Sequence, residues 1–238
     1  MNNIIFDSTR LLLDKLAQDF LLFSQKDKPS HISLSGGTTP IQLFTFLADS
    51  DYAQRINWQK LHFWWGDERC VPDCDPESNY GQCKQLLFDK INIPTENIHP
   101  IHGASEPQQE ALRYAQEIRS HVDSVNGIPQ FDWIILGVGN DGHTASLFPG
   151  LTNFDDAQLT VVATQPQSGQ LRISKTAALI ENSKRITYLA LGENKADIIH
   201  KIAHQAVGSE DYPAAKISSK AGLTQWYLDQ GSAKLLAQ

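Results

Sequence analysis

Cysteine is scarce in this chain: Cys70, Cys74 and Cys83 are three among 238 residues. An odd number, at spacings that match neither CxxC nor a paired zinc module, excludes a disulfide framework and predicts reduced thiols without a structural metal. Cationic excess is missing too. With 20 Lys and Arg against 27 Asp and Glu the formal charge is −7, whereas nucleic-acid domains carry a net basic face, so no nucleic-acid partner is expected. No apolar run approaches the roughly 20 residues of a membrane span. The opening MNNIIFDSTRLLLDKLAQDF has no basic segment before an apolar one, and Asp14, Lys15 and Asp19 interrupt its pattern, which is unlike a secretory leader. Cytoplasmic location without membrane attachment is the expectation. HExxH and GxSxG are also lacking, which removes the usual zinc-peptidase helix and serine-hydrolase elbow. His200 and His204 stand four apart, but Lys-Ile-Ala between them holds no glutamate. Repeats, low-complexity tracts and clear linkers are absent.

What is present is ordinary globular composition, 41% hydrophobic and 20% charged, enough for an ample core and one domain over residues 1–238. Leu12, Leu13, Leu16, Phe20 and Phe23 recur at helical spacing behind Asp7 or Ser8 and predict a first helix to about Gln25. Short apolar runs at 31–35, 60–65, 131–138, 159–163, 185–191 and 224–228 predict strands. Between them, helices are expected over 41–48, from Ser78 to about Lys90, over 106–125 with Leu112, Ala115, Ile118 and Val122 on one face, around Ile198, Ile199 and Ile202, and over 231–236.

The central stretch is Phe131 to Gly150, FDWIILGVGNDGHTASLFPG. Its apolar run reads as a buried strand of a parallel sheet, and its glycines then let the backbone turn and approach a ligand. Gly137 to Gly142 fits the dinucleotide fingerprint GxGxxG, but Pro149-Gly150 cuts off the long helix that fingerprint needs, and Gln165 follows the next apolar run instead of an acid. Dinucleotide binding is therefore set aside. A lone histidine near a turn often only satisfies a hydrogen bond. Asp141 two residues before His143, at a strand's carboxyl end, instead marks the pair as candidate catalytic groups.

Two other strand ends carry chemistry. Ser35-Gly36-Gly37-Thr38-Thr39-Pro40 suggests a helix with Thr39 as N-cap and Pro40 in its first position, whose free N–H groups and dipole face the glycines and suit a phosphate. Gly66-Asp67-Glu68-Arg69 follows Phe63-Trp64-Trp65 directly. A solvated charge run normally lies on a helix face, so Asp67 and Arg69 become candidates.

Taken in order, SGGTTP at 35–40, WWGDERCVPDCDPESN at 64–79 and GVGNDGHTASLFPG at 137–150 resemble the 6-phosphogluconolactonases of the family shared with glucosamine-6-phosphate isomerases. The similarity runs on through Gly192-Glu193-Asn194-Lys195 to Gln225-Trp226-Tyr227-Leu228-Asp229. It implies a three-layer, Rossmann-like α/β fold, a mainly parallel sheet flanked by helices as in sugar-phosphate isomerases. It also implies hydrolysis of 6-phospho-D-glucono-1,5-lactone, with no cofactor and no metal. The implied catalytic residues are His143, Asp141 and Asp67; Ser35, Gly36, Gly37, Thr38, Arg69 and Lys195 are the implied phosphate and substrate contacts. Partners are limited to the small lactone, with a monomer or small homo-oligomer. Ser146-Leu147-Phe148 stands where the isomerase branch has an acid, and Asp67-Glu68-Arg69 where it has Asp-Glu-Tyr; both favour the lactonase. An isomerase or deaminase and a non-catalytic sugar-phosphate sensor are the alternatives. Where the family shows a proline-flanked Arg-x-Thr-Leu-Thr, this chain reads Gln170 to Lys175, which leaves Arg172 unassigned. Whether Asp67 or Asp141 orients His143 stays open from sequence.

Overall fold

Apolar residues returning every three or four positions make the first helix, and short apolar runs make the strands on which it packs. The computed structural model describes residues 1–236. In order the chain forms β1 (Asn3–Phe6), α1 (Thr9–Ser24), β2 (Ser30–Leu34), α2 (Thr38–Asp49), α3 (Tyr52–Arg55), β3 (Leu61–Trp65) and β4 (Asp67–Arg69). Then come α4 (Asn79–Leu86), β5 (Ile98–His99), α5 (Pro107–His121), β6 (Ser124–Val125), β7 (Ile128–Pro129), β8 (Trp133–Gly137), β9 (Thr160–Thr164) and β10 (Leu171–Lys175). The last elements are α6 (Ala177–Glu181), β11 (Arg185–Ala190), α7 (Ala196–Ala203), α8 (Pro213–Lys216) and β12 (Leu223–Asp229).

Seven strands build one sheet in the order β1-β12-β11-β8-β2-β3-β5, with every neighbouring pair parallel. Phe63 and Trp64 are consecutive on β3, so their side chains leave opposite faces. Phe20 of α1 lies 6.0 Å from the Phe63 ring and 5.0 Å from Trp133, while Tyr114 of α5 lies 5.9 Å from Trp64. The two helices thus cover opposite faces, and the architecture is α/β with helices on both sides. Full burial of one such Phe or Leu side chain contributes about 1.5–3 kcal/mol. Chain direction around the sheet reverses between β8 and β2, one branch running to β3 and β5, the other to β11, β12 and β1. At such a switch point the loops after two adjacent strands part and leave a crevice.

Several expectations are corrected. α2 starts at Thr38 with Gly37 as N-cap at φ 108°, so Thr39 does not cap and Pro40 is the third helical residue. α4 ends at Leu86 and a separate 3-10 turn covers Phe88–Lys90. In α5 the buried face is Ala111, Tyr114, Ala115 and Ile118, and Leu112 is 68% exposed. Pairing of Ser124–Val125 with Ile128–Pro129 ends that helix early. Residues 231–236 form hydrogen-bonded turns rather than a helix. Asp67–Arg69, read as a charged run after a strand, and Leu171–Lys175, assigned to no element, pair antiparallel and join β9 in a second sheet of order β4-β10-β9. Strands of three and five residues are too short for a periodic signal to stand out, and only their pairing makes them strands. β1 was missed for the same reason.

Candidate functional site

The ends of β2, β3 and β8 and the strand β10 meet at a cleft of about 210 Å³ beside the switch point. It is lined by Ser35, Gly36, Gly37, Asp67, Arg69, His143 and Lys195, together with Asn79, Ala145 and Arg172. Of the residues expected from sequence, Asp141 and Thr38 do not line it: Asp141 stands behind His143 and Thr38 begins α2. A larger hollow of 560 Å³ beside Met1, Ile202 and Trp226 contains none of them.

β8 ends at Gly137, and the loop after it folds on itself: Gly139 N–H donates to His143 O at 2.9 Å and Gly142 N–H to Gly139 O at 3.0 Å. That fold lays the Asp141 carboxylate against the imidazole, with His143 Nδ1 and Asp141 Oδ1 2.6 Å apart. A carboxylate only accepts, so Nδ1 carries a proton, and in the neutral imidazole Nε2 is the nitrogen with the lone pair. The hydrogen bond from His143 holds the Asp141 carboxyl below its ordinary value. Space is tight enough to fix residue types. A Cβ at Gly139 would stand 2.1 Å from His143 Nδ1 and 2.4 Å from Asp141 Oδ1, and Gly142 adopts φ +85° with Tyr212 against it. Phe148 supports the imidazole from 5.1 Å. Ala145, in the cleft wall, holds φ +48°, a conformation that costs a non-glycine residue energy and gathers at functional sites.

Asp67 does not touch His143. Its Oδ2 accepts from Ser146 Oγ at 2.6 Å and faces Arg172 Nη1 at 3.9 Å. Arg69 and Arg172 are direct cross-strand partners in the β4–β10 ladder, which places two guanidiniums side by side on the cleft wall. Arg69 donates to Glu77 O, while its Nε has no partner. Burial draws the Arg172 guanidinium down, partly offset by Asp67.

Between them, Glu68 turns away and caps α4, accepting from Asn79 N at 2.9 Å, Tyr80 N at 2.8 Å and Ser78 Oγ at 3.2 Å. Burial pushes its carboxyl up to about 7 although the backbone N–H groups pull it down. Lys195 binds Asn140 Oδ1 at 2.8 Å, and burial lowers its ammonium pKa while Asp141 opposes that. Beneath the site, fully buried Lys175 donates to Ser33 Oγ at 3.0 Å and to Trp65 O. It ties β10 to β2 and β3 with its pKa held well below the ordinary value by burial.

Directly after Gly36 and Gly37 of the cleft, Thr38 and Thr39 at the start of α2 offer N–H groups that have no helical acceptor, since the first bond of the helix is from Ile41 N to Gly37 O at 3.2 Å. Ser35 Oγ is buried there without a partner. The cleft thus brings Ser35 and the Gly36-Gly37 turn that leads into the helix together with the His143 imidazole. Sequence reasoning missed Asn79 and Ser146 and left Arg172 open. Ser78-Asn79 was visible only as a helix cap, and the partners of Ser146 and Arg172 come from a sheet that periodicity does not reveal.

Comparison with known proteins follows the same lines. A family profile described as glucosamine-6-phosphate isomerases/6-phosphogluconolactonase matches residues 7–226. A curated 6-phosphogluconolactonase from Haemophilus influenzae is 57% identical over 236 residues, 99% of this chain and 100% of that protein. A crystal structure described as devB protein superposes with a TM-score of 0.94 at 54% identity, covering 98% of each chain. The 6-phosphogluconolactonase structure from Trypanosoma brucei gives a TM-score of 0.82 at 25% identity, over 99% of this chain and 98% of its own.

Proposed function

This chain belongs to the glucosamine-6-phosphate isomerase/6-phosphogluconolactonase family, and from that premise we propose that it hydrolyses 6-phospho-D-glucono-1,5-lactone to 6-phosphogluconate. That reaction is the second step of the oxidative pentose phosphate pathway. The observation that carries the proposal is the Asp141–His143 pair, 2.6 Å apart, across one cleft from paired guanidiniums and a helix N-terminus. An activated lactone needs positioning, a deprotonated water and relief of the carbonyl's developing charge.

In this reading the phosphate sits among Ser35, Gly36, Gly37, Thr38, Arg69 and Lys195, where forked, charge-assisted contacts are strongest. His143 Nε2 takes a proton from water as the water oxygen bonds to the lactone carbonyl carbon. Collapse of the tetrahedral adduct breaks the bond to the ring oxygen, which takes the proton back from His143. Asp141 keeps the imidazole in the required tautomer and stabilises it while charged. Asp67, held by Ser146 and Arg172, is a substrate-facing carboxylate rather than the partner of His143. Since Ser146 donates to Asp67 at 2.6 Å and is no acid, proton transfer between sugar carbons has no second base at that position.

We assign residues 1–238 to one catalytic unit in the cytoplasm, acting on the lactone alone as a monomer or small homo-oligomer. Among the described residues no helix is long and apolar enough to cross a membrane. The test is a coupled assay on freshly generated lactone in chelator-treated buffer. Opening well above the spontaneous rate is expected; a rate equal to the spontaneous one, or loss of activity on chelation, refutes the proposal.

A further inference from the structure

Where β3 leaves the large sheet and the chain turns into β4, two consecutive peptide carbonyls are held by a single residue. Lys175 N–H donates to Gly66 O at 2.8 Å, and the Lys175 ammonium donates to Trp65 O. The same ammonium reaches Ser33 Oγ of β2 at 3.0 Å and Tyr114 Oη of α5 at 3.4 Å. Tyr114 grips the corner as well, its hydroxyl accepting from Trp65 N–H at 2.9 Å and donating to Trp65 O at 3.1 Å. One side chain thus joins β10 to β2, α5 and the corner between β3 and β4.

Lysine is an expensive residue for that place. Lys175 is 0% exposed, and the three acceptors around its ammonium are uncharged oxygens, so no carboxylate within bonding distance offsets the buried charge. Phe131 and Tyr114 offset part of it, their ring centres lying 4.6 and 5.2 Å from Nζ. A methionine of similar length would fill the space without that penalty. Packing alone therefore does not account for the lysine. What an apolar side chain cannot do is hold Trp65 O and Ser33 Oγ at once.

The consequence falls on the cleft. Asp67 and Arg69 follow the corner on β4, and Arg172 stands on the same strand as Lys175, directly across from Arg69. Ser35 and Gly36, just beyond the end of β2, line the same cleft. Lys175 therefore links the strands that carry the guanidiniums to the strand that leads into the glycine turn. We propose that Lys175 is a positioning residue, whose ammonium and backbone N–H set the spacing between the Arg69–Arg172 pair and the β2 turn, and with it the fit of the substrate phosphate. The inference rests on the sugar-phosphate lactone reading of the cleft.

The experiment compares Lys175→Met with the wild type on the phosphorylated lactone and on unphosphorylated gluconolactone. Since a misplacement of about 1 Å can cost about 10²-fold, a partial shift of the guanidiniums should raise KM for the phosphorylated lactone about tenfold. KM and kcat for the unphosphorylated lactone should change little, so the preference for phosphate falls by the same factor. A merely structural role would remove folded enzyme, lowering kcat for both lactones together and leaving both KM values and the preference as they were; that result overturns the proposal. Ser33→Ala removes only the β2 hydroxyl and should shift the preference the same way by a few-fold, the size of one hydrogen bond. Added to Lys175→Met it should change nothing further, because both act through one contact. Where Lys175→Met fails to fold, Ser33→Ala decides, and an unchanged preference in it refutes the role. Binding of 6-phosphogluconate, followed by calorimetry, should weaken in Lys175→Met by the same factor as KM rises. Such weakening in an enzyme without turnover would support Lys175 and sink the hydrolytic reading alone.

Discussion

At His143 one glycine and one carboxylate determine what the imidazole can do. Gly139 leaves room for the pair, and Asp141 selects the tautomer with Nε2 free. His143→Ala should lower turnover by about 10²–10⁴-fold, the usual contribution of a general base, while substrate affinity changes little. The acid limb of the rate profile should vanish with it. Gly139→Ala offers an independent check, because its Cβ would displace Nδ1 and Oδ1 together. Its turnover should fall toward that of His143→Ala with the melting temperature nearly kept. Full turnover in either variant would return the base role to Asp67, the carboxylate that lines the cleft. Both His143 and Asp141 were legible from sequence, since glycines and a strand end flag them. The choice of Asp141 over Asp67 as the imidazole's neighbour was not, because Asp67 reaches the cleft from a different strand.

At the scale of elements, the start of α2 and the β4–β10 ladder form the proposed anion wall. Arg69→Ala should mainly raise KM, because a phosphate contact equal in ground and transition states is uniform binding. For the same reason unphosphorylated gluconolactone should show a much lower kcat/KM than the phosphorylated substrate. Equal specificity constants for the two lactones in steady-state kinetics would remove the phosphate from this wall. Short apolar runs placed β2, β3, β8, β11 and β12 correctly from sequence. β4 and β10 escaped because runs of three and five residues are too short to stand out, and because the pairing Arg172↔Arg69 joins positions far apart in the chain.

Far from the cleft, a histidine cluster couples the fold of the whole molecule to pH. Trp64 Nε1–H donates to His31 Nδ1 at 3.1 Å, and His62 Nδ1 meets His99 Nε2 at 3.0 Å. His99 in turn meets Glu117 Oε1 at 2.8 Å, with His121 packed 4.8 Å from His99. Burial first, then neighbouring histidines, pull His31 and His62 from 6.5 to about 4, against Asp132 and Glu96. Between those values the unfolded chain binds protons that the folded chain refuses, so stability falls as pH drops from about 6.5 toward about 4. Glu68 acts in the opposite sense, since its raised carboxyl keeps a proton in the folded chain up to about 7. The histidine part is isolated by His31→Gln/His62→Gln, which should flatten the melting temperature against pH in that window. An unchanged slope would show that these two side chains do not carry it.

The sequence by itself determined the alternation of strands and helices, the strand-end position of the chemical groups and the family resemblance, because apolar periodicity and glycine turns are local properties. Only the tertiary structure decided that all neighbours in the large sheet are parallel, that its direction reverses between β8 and β2, and that a second sheet brings Arg172 beside Arg69. It also decided that Asn79 Oδ1 is buried against Gly36 without a hydrogen-bond partner. The reason is physical: hydrogen-bond partners and burial are set by residues a hundred positions away, and no local pattern records which polar atom will be left without one.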